Sequence, residues 1–191
     1  MILQDQKDLE TAAEEFLSEG FPTVKDAISG AIDILVEAIA EDPQLRNLTY
    51  QEIRKHSLIT SNLKDESKDE KQVFQIYYDF SEKIANMQGY RTLALNRGEK
   101  LGVLKVGFEH PVDRLIRHFE ARFKSKNSYI EEVINQALKK KMLPAMERRI
   151  RTELTEVAED GAIQLFSENL RHLLLLSLIH ISEPTRLRRI S

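Results

Sequence analysis

"PAMERRIRTELTEVAEDGAIQLFSENLRHLLL", Pro144 to Leu175, decides the fold. Met146, Ile150, Leu154, Val157, Gly161 and Leu165 recur every three or four residues, and Ala158, Ala162, Phe166, Leu170 and Leu173 form a neighbouring stripe. This spacing predicts one helix with apolar contacts on two sides, opened by Pro144, which suits a first helical turn. About 30 such residues span about 45 Å, more than a compact domain of this size needs. The segment reads as a spine that joins parts.

Working outward, Ser128 and Glu131 make a capping box ahead of Ile130, Val133, Ile134, Ala137 and Leu138, and Lys139, Lys140 and Lys141 suit that helix's C-terminus. Near the start, Leu9, Ala12, Ala13, Phe16 and Leu17 line one helical face, stopped by Gly20 and Pro22. Thr23 caps a further helix with Asp26 three residues on, and Val24, Ala27, Ile28, Ala31, Ile32, Leu35 and Ile39 form its apolar side. Asp42-Pro43 ends it and opens another through Leu45, Leu48 and Ile53. Asp65 to Lys71, "DESKDEK", is a solvated charge run. In "VFQIYYDFSE", Phe74, Tyr77, Tyr78 and Phe80 suggest a packed helix face rather than a platform for stacking bases, since no Lys or Arg lies among the rings.

In "YRTLALNRGEKLGVLKVGFE" the texture changes. Leu93 and Leu95 alternate, as do Leu104, Val106 and Phe108, with Asn96-Arg97-Gly98 between. This predicts two short extended segments about a turn, with Gly98 supplying a positive φ. The fold class is therefore mainly α: an irregular helical bundle with one short β-hairpin-like or extended element and a long C-terminal spine helix. The expected divisions are a helical segment over 1–60, the aromatic helix and extended element over 61–127, a helical hairpin with the spine over 128–175, and a tail over 176–191.

Of 191 residues, 41% are apolar and 31% charged, with 7 Gly, no Trp and no Cys. The mix favours helices with wet outer faces. Missing cysteine excludes disulfides, zinc–thiolate sites and a cysteine nucleophile. A net charge of -3 does not announce nucleic-acid binding. Met1-Ile2-Leu3 runs directly into Gln4-Asp5, without the pattern of a signal peptide. The apolar run from Leu173 to Ile181 is far short of the roughly 20 residues of a spanning helix, so no membrane partner is expected.

His56, His110, His118, His172 and His180 show no metal-ligand spacing. No Walker loop or GxSxG elbow is present. The sequence predicts no catalytic residue, cofactor or metal. An enzyme would need a pocket uniting His110 or His118 with carboxylates. Two basic groups remain: Arg148, Arg149 and Arg151 after the lysine triplet, and Arg91, Arg97, Lys100 and Lys105 around the extended pair. Phosphate binding needs such clusters. Glu147, Glu153, Glu156 and Glu159 interleave the first group, so surface ion pairing competes with that role. Arg91, Arg97, Arg148, Arg149 and Arg151 are the weak candidates for nucleic-acid contact.

"YRTLALNRGEKLGVLKV" resembles the HRxLAxxRGExxGVL segment of the bacterial Tex family of RNA-binding transcriptional accessory proteins. Arg97, Gly98, Glu99, Gly102, Val103 and Leu104 match, while Tyr90 stands where the family has His. "FPTVKDAISGAIDILVEAIAEDPQLR", "FQIYYDFSE" and "RRIRTELTEVAEDGAIQLFSENLRHLLL" are similar to three other blocks of that family, in the same order. The likeness runs from Met1 to about Leu175.

The resemblance implies a cytoplasmic, non-enzymatic factor acting around transcription. RNA or other nucleic acid would be met mainly by an S1 domain that, like the RNase-H-like YqgF and helix-hairpin-helix domains, is absent from this chain. Contacts with the transcription machinery would be further partners. The alternative is a free-standing helical adaptor between proteins, with no nucleic-acid role. The resemblance also implies a further helical portion ahead of Met1. Beyond Leu175, "LSLIHISEPTR" resembles the translation of a transposase sequencing adapter, so Leu176 to Ser191 is expected to be a read-through artefact. Subtracting its three Arg from 28 basic residues and its one Glu from 31 acidic residues leaves 25 and 30, a net -5.

Overall fold

The computed structural model describes residues 23–123 and 128–182. The expected helix over Leu9–Leu17 lies outside the described residues, as does Pro184. Helix α1, Val24–Glu41, starts where the sequence predicts: the Asp26 N–H donates to Thr23 Oγ1 at 3.2 Å. Helix α2, Pro43–His56, is capped by Asp42, whose Oδ1 accepts from the N–H groups of Gln44 and Leu45 at 2.8 and 2.9 Å.

Strand β1, Leu58–Leu63, follows α2 directly. It is the centre of a three-stranded antiparallel sheet, flanked by β2, Asp79–Lys83, and β3, Leu104–Glu109. Ile59 lies opposite Glu82 on one side and Phe108 on the other, and Ser61 lies opposite Phe80 and Val106. The aromatic stretch therefore forms no helix face. It makes a short 3₁₀ turn at Gln75–Tyr77 and then enters β2. Asp69 shapes that turn by accepting from the N–H groups of Val73 and Phe74 and from the Tyr78 hydroxyl, at 2.8–2.9 Å. Burial pushes the Asp69 carboxyl up, but these hydrogen bonds outweigh it and hold the group below its usual value. Phe74 and Tyr77 are buried in the core, so neither ring offers a stacking surface.

The expected turn at Asn96-Arg97-Gly98 is also corrected. Gly89–Lys100 is a helix, α3, and only the second half of the predicted pair, β3, is a strand. The turn lies five residues later, and the positive φ belongs to Gly102, at 75°, rather than Gly98. The physical reason is that α3 buries Thr92, Leu95 and Gly98, three positions of helical spacing with little apolar content. Leu93 and Leu95 alternate by coincidence.

Helix α4, Val112–Phe123, packs Leu115 and Phe119 into the core. Helix α5, Ser128–Gln136, passes through a π-helical turn at Ala137–Met142 into α6, Leu143–Ser182. The lysine triplet thus sits within one continuous rod and ends no helix. Pro144 has no N–H to give the preceding turn. The rod widens there, and the Leu143 N–H reaches back to the carbonyl of Leu138.

One core draws on every helix and on β1 and β3: Ala40, Ile53, Ile59, Leu95, Leu104, Leu115, Phe119, Ile134, Leu138, Met146 and Ile150 belong to it, and Phe80 of β2 packs against it. A smaller cluster of Val36, Val133 and Ala137 seats α1 on α5 and the wide turn. The spine is longer than expected, with 40 residues in α6, about 60 Å. Among the described residues only its first part is packed. Met146, Ile150 and Ala158 are buried, whereas Val157, Ile163, Leu165, Phe166, Leu170 and the leucines from 173 to 176 are exposed.

Candidate nucleic-acid interface

The five candidate arginines do not form one surface. Arg91, in the first turn of α3, places Nη1 2.6 Å from both carboxylate oxygens of Glu82 on β2. This partner raises its pKa above the usual guanidinium value. Arg151 on α6 donates to Glu99 at 2.8 Å and to the Val106 carbonyl at 3.0 Å, and lies over the Phe108 ring. It clamps the spine to both α3 and β3.

Arg149 lies 4.2 Å from the centre of the Tyr50 ring and donates to Glu153 at 2.8 Å. Glu153 also accepts from the Tyr50 hydroxyl and from Arg54. Burial raises the Glu153 carboxyl, but the bonds from Tyr50 and Arg149 outweigh it and hold the group below its usual value. Arg97 and Arg148 differ from these three. Both are exposed, and neither side chain has an ion pair or hydrogen bond among the described residues. The geometry gives Arg91, Arg149 and Arg151 structural partners and leaves Arg97 and Arg148 without one among the described residues.

Beside the Tyr50–Glu153 cluster a groove of about 730 Å³ opens between α2, the turn after β2 and α6, lined in part by Arg54, Lys55, Ile84, Met87, Glu156 and Val157. Its charge is mixed, with Arg54 and Lys55 facing Glu153 and Glu156. Such a lining suits protein contact better than a polyanion.

Sequence reasoning missed a partly buried polar chain. His110 Nδ1 lies 2.9 Å from Ser57 Oγ, and its Nε2 lies 2.7 Å from Glu147. The three residues come from the end of α2, the end of β3 and the start of α6, so only the fold could unite them. The order serine–histidine–carboxylate is that of a hydrolase relay, yet Ser57 is fully buried. No substrate atom reaches its hydroxyl. The chain ties three elements together. His118 also meets a carboxylate, at 3.9 Å from Glu52, which Arg114 pairs at 2.6 Å. Neither histidine lines the groove. Among the described residues no three His, Asp or Glu side chains converge as a metal-ligand set, and no helix is long and apolar enough to cross a membrane.

The profile of a family described as Tex central region-like matches residues 4–166. YdcI of Bacillus subtilis is 39% identical over 183 residues, covering 92% of this chain and 26% of that protein. Transcriptional accessory protein Tex of Neisseria gonorrhoeae is 28% identical over 185 residues, covering 92% of this chain and 24% of that protein. S1 RNA-binding domain-containing protein 1 of Homo sapiens is 34% identical over 179 residues, covering 83% of this chain and 18% of that protein. The chain thus spans about a quarter or less of the relatives it matches.

Proposed function

Because this chain belongs to the Tex family, where it matches the central region, we propose that it is an architectural section of a cytoplasmic transcription accessory factor. Its part is to hold shape. RNA contact and engagement of the transcription machinery fall mainly to segments outside this chain, and the section performs no catalysis. The observation that carries this reading is that Arg91 and Arg151 pair with carboxylates of other elements, while Arg149 lies over the Tyr50 ring of α2 and pairs with Glu153 on its own helix. Charges spent on internal carboxylates release few counterions from a nucleic acid. The names of the gonococcal and human relatives support the accessory and RNA-related setting.

The reading predicts weak, nonspecific binding of single-stranded RNA by this chain, with Kd in the range of roughly 10⁻⁴ to 10⁻⁶ M at physiological salt and a shallow slope of log affinity against log salt. Fluorescence anisotropy between about 50 and 200 mM salt measures both quantities. Nanomolar affinity lost in Arg148→Glu would place an RNA site on the spine and reject the architectural reading.

The segment Leu176–Ser191 belongs to this reading as a dispensable tail. The helix continues through Ser177 to Ser182, but Leu176 and Leu178 remain exposed and add nothing to the core. Deleting Leu176–Ser191 is expected to leave the thermal melting midpoint of the core unchanged or higher. A clear drop would make the tail integral.

A further inference from the structure

Helix α1 is apolar over more of its surface than the core uses. Its inner side buries Val36 and Ala40, with Ile32 and Ile39 packed beside Val36. A second stripe runs through Val24, Ala27, Ala31 and Leu35, spaced by three and four residues. Leu35 is turned about 100° from Val36. Ala31 is exposed and Leu35 is 51% exposed. The sequence pattern sets both on the inner side with Ile32 and Ile39, but the contact with α5 is rotated away from them. No charged side chain falls on the stripe, and Glu37, on another side of α1, pairs with Lys141 at 2.7 Å. A helix that is apolar on two sides has packing to make on both.

We propose that the second stripe is covered by the chain's own Leu9–Leu17 segment, which lies outside the described residues, returning antiparallel along α1 as the first arm of a helical hairpin. Attachment selects this occupant over a second copy. Five residues, Ser18 to Pro22, separate Leu17 from the Thr23 cap, and Gly20 and Pro22 among them stop a helix. A link of about two to five residues sets two helices side by side and antiparallel. Through so short a link the segment meets α1 at an effective concentration of about 1 mM, which a second copy from dilute solution does not match. The family profile begins at residue 4, so it takes in this segment together with α1.

The side chains agree in size. Leu9, Ala13, Phe16 and Leu17 share one side of the segment at helical spacing, with Glu10, Glu14 and Glu15 outside it. Folded back on its link, the segment brings Leu17 to Val24, Phe16 over Ala27, Ala13 to Ala31 and Leu9 to Leu35. A large ring thus faces a small residue, and the two alanines let the helix axes approach to about 8 Å. Ile34 marks where the contact ends. It is turned about 100° from Leu35 and lies level with Lys7, past Leu9, so it stays in water. The inference does not rest on the nucleic-acid reading, and a result against one leaves the other standing.

The chain has no cysteine, so disulfide trapping reads this contact in the full chain. Under copper–phenanthroline oxidation, Ala13→Cys/Ala31→Cys should close a disulfide within one chain, seen by mass spectrometry as a single-chain mass lower by two hydrogens. Ala13→Cys/Ala38→Cys should close none, because Ala38 lies about 10 Å further along α1, outside the reach of about 7 Å between Cα atoms that a disulfide allows. Adding Leu35→Glu to the first pair should slow closure about tenfold or more, since the contact would bury a charge. Circular dichroism of that variant should show an intact fold, because Leu35 belongs to neither core cluster. Failure of the first pair to close, a disulfide between two chains, equal closure in both pairs, or closure unmoved by Leu35→Glu would each overturn the proposal.

Discussion

Phe119→Ala should remove about 3–5 kcal/mol of stability. Phe119 is fully buried on α4, in the same core as Ile53 and Ile134. The loss is a large part of the roughly 5–15 kcal/mol that holds a domain folded. Urea unfolding followed by circular dichroism measures it, and the shift should appear in the midpoint with the slope unchanged. Ile34→Ala is the matching control. Ile34 is 72% exposed on α1, so its removal should change stability by no more than about 0.5 kcal/mol. A loss below about 1 kcal/mol for Phe119→Ala would mean that α4 is not seated as described.

Gly98→Val should cost about 3 kcal/mol or more, at the upper end of overpacking effects. A Cβ on Gly98 would lie 2.5 Å from Leu104 Cδ1, 2.8 Å from Leu104 Cγ and 3.2 Å from Phe74 Cδ1. Leu104 and Phe74 are both buried, so neither has room to retreat. Gly98→Ala separates this cause from the backbone. In an ordinary helix, Gly to Ala gains about 1 kcal/mol. At this position a net loss is expected, because the single methyl already meets Leu104. A stabilised Gly98→Ala would contradict the close approach of α3 to β3.

Most helices were legible because their signals are local. Thr23 with Asp26, and Asp42-Pro43, fix two starts through side-chain and ring chemistry that needs no tertiary partner. The spine was legible through its periodicity. What misled was burial without apolar content. The inward positions of α3 are Thr92, Leu95 and Gly98, so its helical period is faint and the chance alternation of Leu93 and Leu95 looks like a strand. Strand β1 holds the sheet centre with Ser61 and Thr60, and nothing in "LITSNL" tells that two other strands lie beside it. Helix α4 does carry a local signal, with Val112, Leu115, Ile116, Phe119 and Phe123 at helical spacing after Pro111.

The candidate site was less legible than the fold. Arg91, Arg97, Arg148, Arg149 and Arg151 look alike in sequence. Glu82, Glu99, Glu153 and the Tyr50 ring distinguish them, and only two of these partners are close in sequence: Glu82 to Arg91, and Glu153 to Arg149. The polar chain through Ser57, His110 and Glu147 joins positions 53 and 37 residues apart. No local pattern announces it.

The widened turn at Ala137–Met142 has a consequence for how this chain can change length. From Ser128 onward α5, the turn and α6 form a single rod, gripped at both ends of its packed part: Val133 and Ala137 by α1, Thr155 and Ala158 by α3. Each residue added to an α-helix turns everything beyond it by about 100°. An inserted or deleted residue between the two grips would therefore swing the second one away from α3, unless the rod absorbed it as a local change of winding. The π turn is such a change, holding one residue more than an α turn while keeping the two grips in phase. This part of the sequence behaves as a gear train, in which length is fixed tooth by tooth, whereas beyond Ala158 no second grip among the described residues records the count.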